Sequence, residues 1–85
     1  MAGSKTSTEM AAWLTRTIAQ HAGLSVAQID PDTLLSEYGL SSISAFAVIN
    51  DIEDTFHMAP DVTVIWDYPT VNQLSVFLAE LVAAR

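Results

Sequence analysis

The chain has 85 residues, 51% of them apolar, with ten acidic side chains against three basic ones and no cysteine. That length holds one small domain, and the missing cysteines exclude disulfide staples and thiolate metal sites. A net charge of −7 argues against nucleic acid and anionic membranes as partners. It suits partners with basic docking patches, although acidic charge also serves plain solubility. No apolar run is long enough to span a bilayer, and the N-terminus lacks a secretory pattern, so a cytoplasmic protein is expected. Residues 1–5, opening Met1-Ala2-Gly3-Ser4, read as an appended leader or disordered segment, and residues 6–84 as a single domain.

The first helix opens on a capping box, Thr6 with Glu9 three residues on. Met10, Leu14, Ile18 and Ala22 recur at helical spacing with Trp13 alongside, and Gly23 is a stop. A long connection follows, from about Leu24 to Ser41. Within it, Ser25 with Gln28 caps a short turn, and Asp30-Pro31-Asp32 is a turn signal. Val26, Ile29, Leu34, Leu35, Tyr38 and Leu40 are spaced to pack this connection onto the helices, and Gly39 suits a positive φ. The second helix is predicted over Ser42–His57, ending before Pro60. A short third helix is predicted from Asp61, as N-cap, to Trp66. Val62–Trp66 is also β-prone, but a lone strand has nothing to pair with. The fourth helix follows Pro69, with Thr70 and Gln73 as a capping box and a stripe of Val71, Leu74, Phe77, Leu78 and Leu81. The sum is an all-α bundle of three longer helices and one short third helix, with a long first loop.

On a wheel of the second helix, Ala45, Val48, Ile49, Ile52 and Phe56 form the core stripe. Ile43, Phe46, Ala47 and Asn50 fall outside it, Asp51 and Thr55 lie roughly opposite the core, and Glu53 and Asp54 take the polar surface. The apolar arc is too wide for a simple bundle helix. Either the long connection covers the excess, or the excess is an exposed patch, rimmed by acids, that binds a partner.

Catalytic chemistry finds no support. His21 and His57 each fall at a helix C-terminus, where a histidine interacts favourably with the dipole. No serine sits in a Gly-x-Ser-x-Gly elbow. Glu53 and Asp54 diverge on a helix, and metal-ligand spacing is missing. The chain reads as having no catalytic residues, no metal site and no catalytic activity of its own.

The segment Glu37-Tyr38-Gly39-Leu40-Ser41-Ser42-Ile43 resembles the attachment motif of acyl carrier proteins. Ile49-Asn50-Asp51-Ile52-Glu53-Asp54-Thr55-Phe56 is similar to that family's second-helix ending, and Tyr68-Pro69-Thr70-Val71, followed by Leu74, to the opening of its last helix. The three blocks occur in order and cover roughly Ala11 to Leu81. The resemblance implies a four-helix bundle of the acyl-carrier type. It also implies a 4′-phosphopantetheine arm, held by a phosphodiester on Ser42, whose terminal thiol carries an acyl group as a thioester. The imported thiol accounts for a chain without cysteine, and a helix N-terminus suits a phosphate. Read without the family, Ser42 is an ordinary N-cap.

The implied partners are a phosphopantetheinyl transferase, an acyl-loading enzyme (an acyltransferase or acyl-adenylate ligase) and a ketosynthase or other synthase domains. Docking falls to Leu40, Ser41, Ile43, Phe46, Ala47 and Asn50, with Glu37, Asp51, Glu53 and Asp54 as rim charges. Two positions depart from the family pattern: Ser41 stands where an aspartate is usual, and Ala47 where fatty-acid-synthesis carriers place an acid. Both point to a specialised carrier of the polyketide-synthase type. The Gly-Gly-His/Asp-Ser pattern of peptidyl carriers is missing, whereas the Tyr-Pro-Thr block fits both modular classes. A monomeric domain is expected, either excised from a larger synthase or free-standing. The alternatives are a peptidyl carrier of a mixed assembly line, and a non-covalent interaction module with this fold and no arm.

Overall fold

The computed structural model describes residues 6–84; the expectation for residues 1–5 lies outside them. Helix α1 spans Ser7–Ala22, α2 Ser42–Phe56, α3 Val64–Asp67 and α4 Val71–Ala83, and two 3₁₀ turns, Val26–Gln28 and Leu35–Tyr38, interrupt the first loop. No strand occurs among the described residues. None of their helices is long and apolar enough to cross a membrane.

The capping box of α1 forms as the sequence predicts. Thr6 Oγ1 accepts from the Glu9 N–H at 3.1 Å, and Glu9 Oε1 accepts from the Thr6 N–H at 3.0 Å. Gly23, at φ 71°, ends the helix, and its N–H and that of Leu24 both donate to the Ala19 carbonyl. Met10, Leu14 and Ile18 are fully buried and pack with Ile52 of α2 and Leu74 and Leu78 of α4. Trp13 meets Phe56 edge-on at 4.8 Å and closes the α1–α2 end of this core.

The long connection is held at both ends. Tyr38 Oη accepts from the Asp30 N–H at 2.7 Å and donates to the Asp30 carbonyl at 2.9 Å. The Asn72 N–H donates to the Pro31 carbonyl at 3.0 Å, Asn72 Nδ2 to Asp32 Oδ1 at 2.6 Å, and the Leu35 N–H to the Pro69 carbonyl at 2.7 Å. These bonds pin the loop to the start of α4 and satisfy backbone groups that lack a helix to join. Of its apolar residues, Ile29 and Leu35 are buried and Tyr38 and Leu40 half-buried, whereas Val26 and Leu34 remain exposed.

Three details differ from expectation. Helix α2 ends at Phe56, because His57 turns to φ 57° and donates its N–H to the Glu53 carbonyl. Helix α3 starts at Val64, not next to Asp61. Asp61 Oδ1 accepts from the Thr63 N–H and its carbonyl from the Val64 N–H, both at 3.0 Å, so Asp61 caps a tighter turn of i→i+3 bonds that leads into α3. The Thr70–Gln73 box forms by half: Thr70 Oγ1 accepts from the Gln73 N–H at 3.1 Å, but Gln73 Oε1 meets the Thr70 hydroxyl and not its N–H.

His57 is the one non-glycine residue with positive φ among those described. A β-carbon in that conformation is costly, and glycine is favoured there. His57→Gly is therefore expected to raise stability by about 1 kcal/mol in urea unfolding. A loss of stability would show that the His57 side chain makes compensating contacts.

Candidate functional site

The chain reverses at Gly39, whose φ of 71° follows the second 3₁₀ turn and whose N–H donates to the Ser36 carbonyl at 3.3 Å. That turn delivers Leu40 and Ser41 to the start of α2. Ser41, extended at φ −79° and ψ 171°, is the N-cap. Its Oγ accepts from the Ser44 N–H at 3.1 Å and donates to Ser44 Oγ at 3.3 Å. Ser42 is therefore the first helical residue and not the cap. It is exposed, and its hydroxyl has no hydrogen-bond partner among the described residues. The N–H groups of Ser42 and Ile43 belong to the first turn, so they have no carbonyl within the helix to bond. A free hydroxyl thus stands beside two free N–H groups at the positive end of a 15-residue helix.

That arrangement fits a phosphodiester. Ser42 could supply the oxygen, and the helix end would supply partial positive charge without a basic side chain. The Ser41 hydroxyl, by contrast, is already bonded to both the backbone and the side chain of Ser44.

The apolar excess on α2 is exposed. Ile43 is 82% exposed and Phe46 55%, so the long connection does not cover them. Asn50 is exposed and Ala47 half-buried on the same helix. Glu37, Glu53 and Asp54 are exposed and Leu40 is half-buried. Asp51 is differently placed: its Oδ2 lies 2.7 Å from His21 Nε2, tying the last turn of α1 to α2. Its charge is shared with His21 when that ring is protonated.

Two residues near the site escaped the sequence reading. Trp66 of α3 is 58% exposed and Leu34 is exposed. With Leu35, Leu40, Ala45 and Ile65 they line a cavity of about 160 Å³. Leu40 and Ala45 flank the serines in sequence, so the cavity lies beside the start of α2. No periodicity could have found it. The loop–α4 bonds, not a helical repeat, bring α3 to this side. Among the described residues no group of three or more potential ligands is placed to hold a metal ion.

A helical bundle that exposes an unpartnered serine at the start of α2, beside an apolar and acidic surface, has the makings of a carrier. Residues 12–78 match the family described as "Phosphopantetheine attachment site". A free-standing peptidyl carrier protein from an uncharacterised secondary metabolic pathway of Acinetobacter baumannii superposes with a TM-score of 0.85 at 33% identity, over 88% of this chain and 94% of that one. The HMG-ACPI domain of the CurA module of Lyngbya majuscula superposes with a TM-score of 0.89 over 99% of this chain and 85% of that one; at 23% identity it supports the fold alone. A phenolphthiocerol/phthiocerol polyketide synthase of Mycobacterium tuberculosis is 30% identical over 83 residues, which are 98% of this chain and 4% of that protein. A 6-methylsalicylic acid synthase of Arthrobotrys oligospora is 32% identical over 56 residues, 66% of this chain and 3% of that protein. The chain belongs to the phosphopantetheine-attachment family and is a carrier domain whose prosthetic group is covalent 4′-phosphopantetheine. It spans a few per cent of the length of the curated relatives it matches.

The two serines should separate by their energetics. Ser41→Ala removes the cap and is expected to cost about 1 kcal/mol in urea unfolding. Ser42→Ala removes an exposed, unpartnered hydroxyl and should stay within about 0.5 kcal/mol of wild type. Equal losses would mean that Ser42 shares in capping.

Proposed function

We propose that Ser42 carries the phosphopantetheine arm and that the domain shuttles acyl thioesters between the enzymes of a polyketide-type assembly line. The observation that carries this reading is the division of labour at the start of α2: Ser41 is spent on the cap, while the Ser42 hydroxyl is exposed and unpartnered. When bound, the arm supplies the thiol that holds the acyl group. The protein holds the phosphate end at a helix terminus and keeps the tethered group near each partner at high effective concentration.

The polyketide assignment is supported by the synthases among the curated relatives and by the missing Gly-Gly-His/Asp-Ser pattern. The likeness to a peptidyl carrier at 33% identity keeps one second reading, a peptidyl carrier of a mixed line. The partners under this proposal are a phosphopantetheinyl transferase using coenzyme A and Mg²⁺, an acyltransferase or acyl-adenylate ligase, and a ketosynthase or other synthase domain. Docking uses Leu40, Ile43, Phe46, Ala47 and Asn50 as contacts, with Glu37, Glu53 and Asp54 as rim charges. Ile43 and Phe46 are the exposed apolar anchors of this surface. Asp51 contributes from a position already bonded to His21.

Intact-protein mass after treatment with a promiscuous transferase and coenzyme A tests the site. Wild type and Ser41→Ala should each gain one arm, and Ser42→Ala none. Failure of the wild type to gain an arm, beside a working control carrier, would favour a non-covalent module with the carrier fold.

The docking surface has its own test. Ala47→Glu places a charge beside Ile43 and should slow acyl transfer from the cognate loading enzyme roughly tenfold, without changing the extent of arm attachment. An unchanged transfer rate would remove Ala47 from the interface.

A further inference from the structure

Helix α3 separates two surfaces. On one side Ile65 and Trp66 face the cavity beside the start of α2. On the other side Val64, Asp67 and Tyr68 border a second depression, which Phe77 and Leu81 of α4 complete. This depression continues in both directions. Leu81 and Pro60 connect it to a hollow of about 320 Å³ at Met58 and Ala59, and Tyr68 connects it to a shallow one at Asn72, Gln73 and Val76. Three adjoining shallow depressions thus form an open groove along α4, with Met58, Pro60, Tyr68, Phe77 and Leu81 among its lining. It shares no lining residue with the cavity beside Ser42.

The groove has a defined shape, chemistry and charge. Tyr68 and Phe77 stack at 4.3 Å with rings 15° from parallel, which makes its middle flat and rigid. Along α4 it runs from Asn72 to Leu81, roughly 14 Å at the helical rise. Asp61 and Asp67 both line it, and both are exposed. Among the described residues no lysine or arginine lines it; Arg16, on α1, is the only one of either type. The Thr63 backbone N–H and hydroxyl donate to Asp61 and hold its carboxyl below the usual carboxylate range, so that rim charge persists. An apolar floor with an acidic rim calls for an apolar occupant flanked by cations. Its length fits the contact face of a short amphipathic helix of about ten residues.

We infer that the α4 groove is a second docking surface, which takes an amphipathic helix of a partner protein with an apolar stripe and flanking lysine or arginine residues. The inference does not depend on where the arm is attached. It gives the carrier a means of being held in place while the Ser42 face stays open to successive enzymes. Anchoring and delivery then use opposite sides of α3 and do not compete.

The test titrates the ¹⁵N-labelled full chain with a synthetic leucine–lysine amphipathic helix, with a leucine–glutamate helix as control. Amide shifts should change at Met58, Tyr68, Val76, Phe77 and Leu81 with the lysine peptide and stay unchanged with the glutamate peptide. The double variant Asp61→Asn/Asp67→Asn should bind the lysine peptide at least roughly threefold more weakly. It should still accept the arm at the wild-type rate, which shows that it is folded. Shifts confined to Leu40–Asn50, undiminished affinity in the double variant, or no binding at all would overturn the proposal.

Discussion

The Ser41 cap is the contact on which the site depends. A hydroxyl 3.1 Å from the Ser44 N–H satisfies one orphan donor of the helix. It thereby starts α2 at Ser42 and not one residue later. This choice puts Ser42 at the first helical position, exposed and unpartnered, and turns Ile43 and Phe46 outward. A serine caps as well as the aspartate usual in the family, but it brings no carboxylate to the positive end of the helix. A phosphodiester on the next residue would therefore meet the helix terminus without a competing charge on Ser41.

The cap holds its place because the loop before it is anchored. Tyr38 closes the loop on Asp30, and the bonds of Asn72 to Pro31 and Asp32 and of Leu35 to Pro69 fasten it to the start of α4. These polar contacts do for the loop what the buried stripe does for the helices. They also set α3 beside the start of α2, which places Trp66 next to the site and leaves a groove on the far side of α3. One short helix thus divides the surface proposed for cargo delivery from the surface proposed for anchoring. The contact between His21 and Asp51 is a separate tie, fixing the C-terminal end of α1 to the middle of α2.

The helices were legible because each carries its own signals. The Thr6–Glu9 box, the αL turn at Gly23 and the core stripe Ala45, Val48, Ile49, Ile52 and Phe56 stand where periodicity and capping rules put them. What could not be read depends on a choice between local bonds of similar strength. Ser41 and Ser42 are adjacent and equally good caps by type, so only the backbone geometry delivered by Gly39 decides which one caps. Asp61 caps as its type predicts, but the turn it opens is closed by i→i+3 bonds, so the α-helix proper starts only at Val64. The side chains of Trp66 and Leu34 near the site, and the engagement of Asp51 by His21, are products of tertiary placement and leave no mark in the spacing of residues. The exposure of Ile43 and Phe46 was half legible: the wheel showed an excess of apolar arc, but only the folded loop decided that it stays uncovered.

The central claim is that capping by Ser41 leaves Ser42 as the acceptor of the arm. Fragment-ion mapping of the arm-loaded wild-type protein tests it most directly, because it locates the modified oxygen without altering either serine. The fragments should place the whole added mass on Ser42 and leave Ser41 unmodified. Added mass on Ser41, even in part, would mean that the cap opens to present its own hydroxyl, and would contradict the division of labour proposed here.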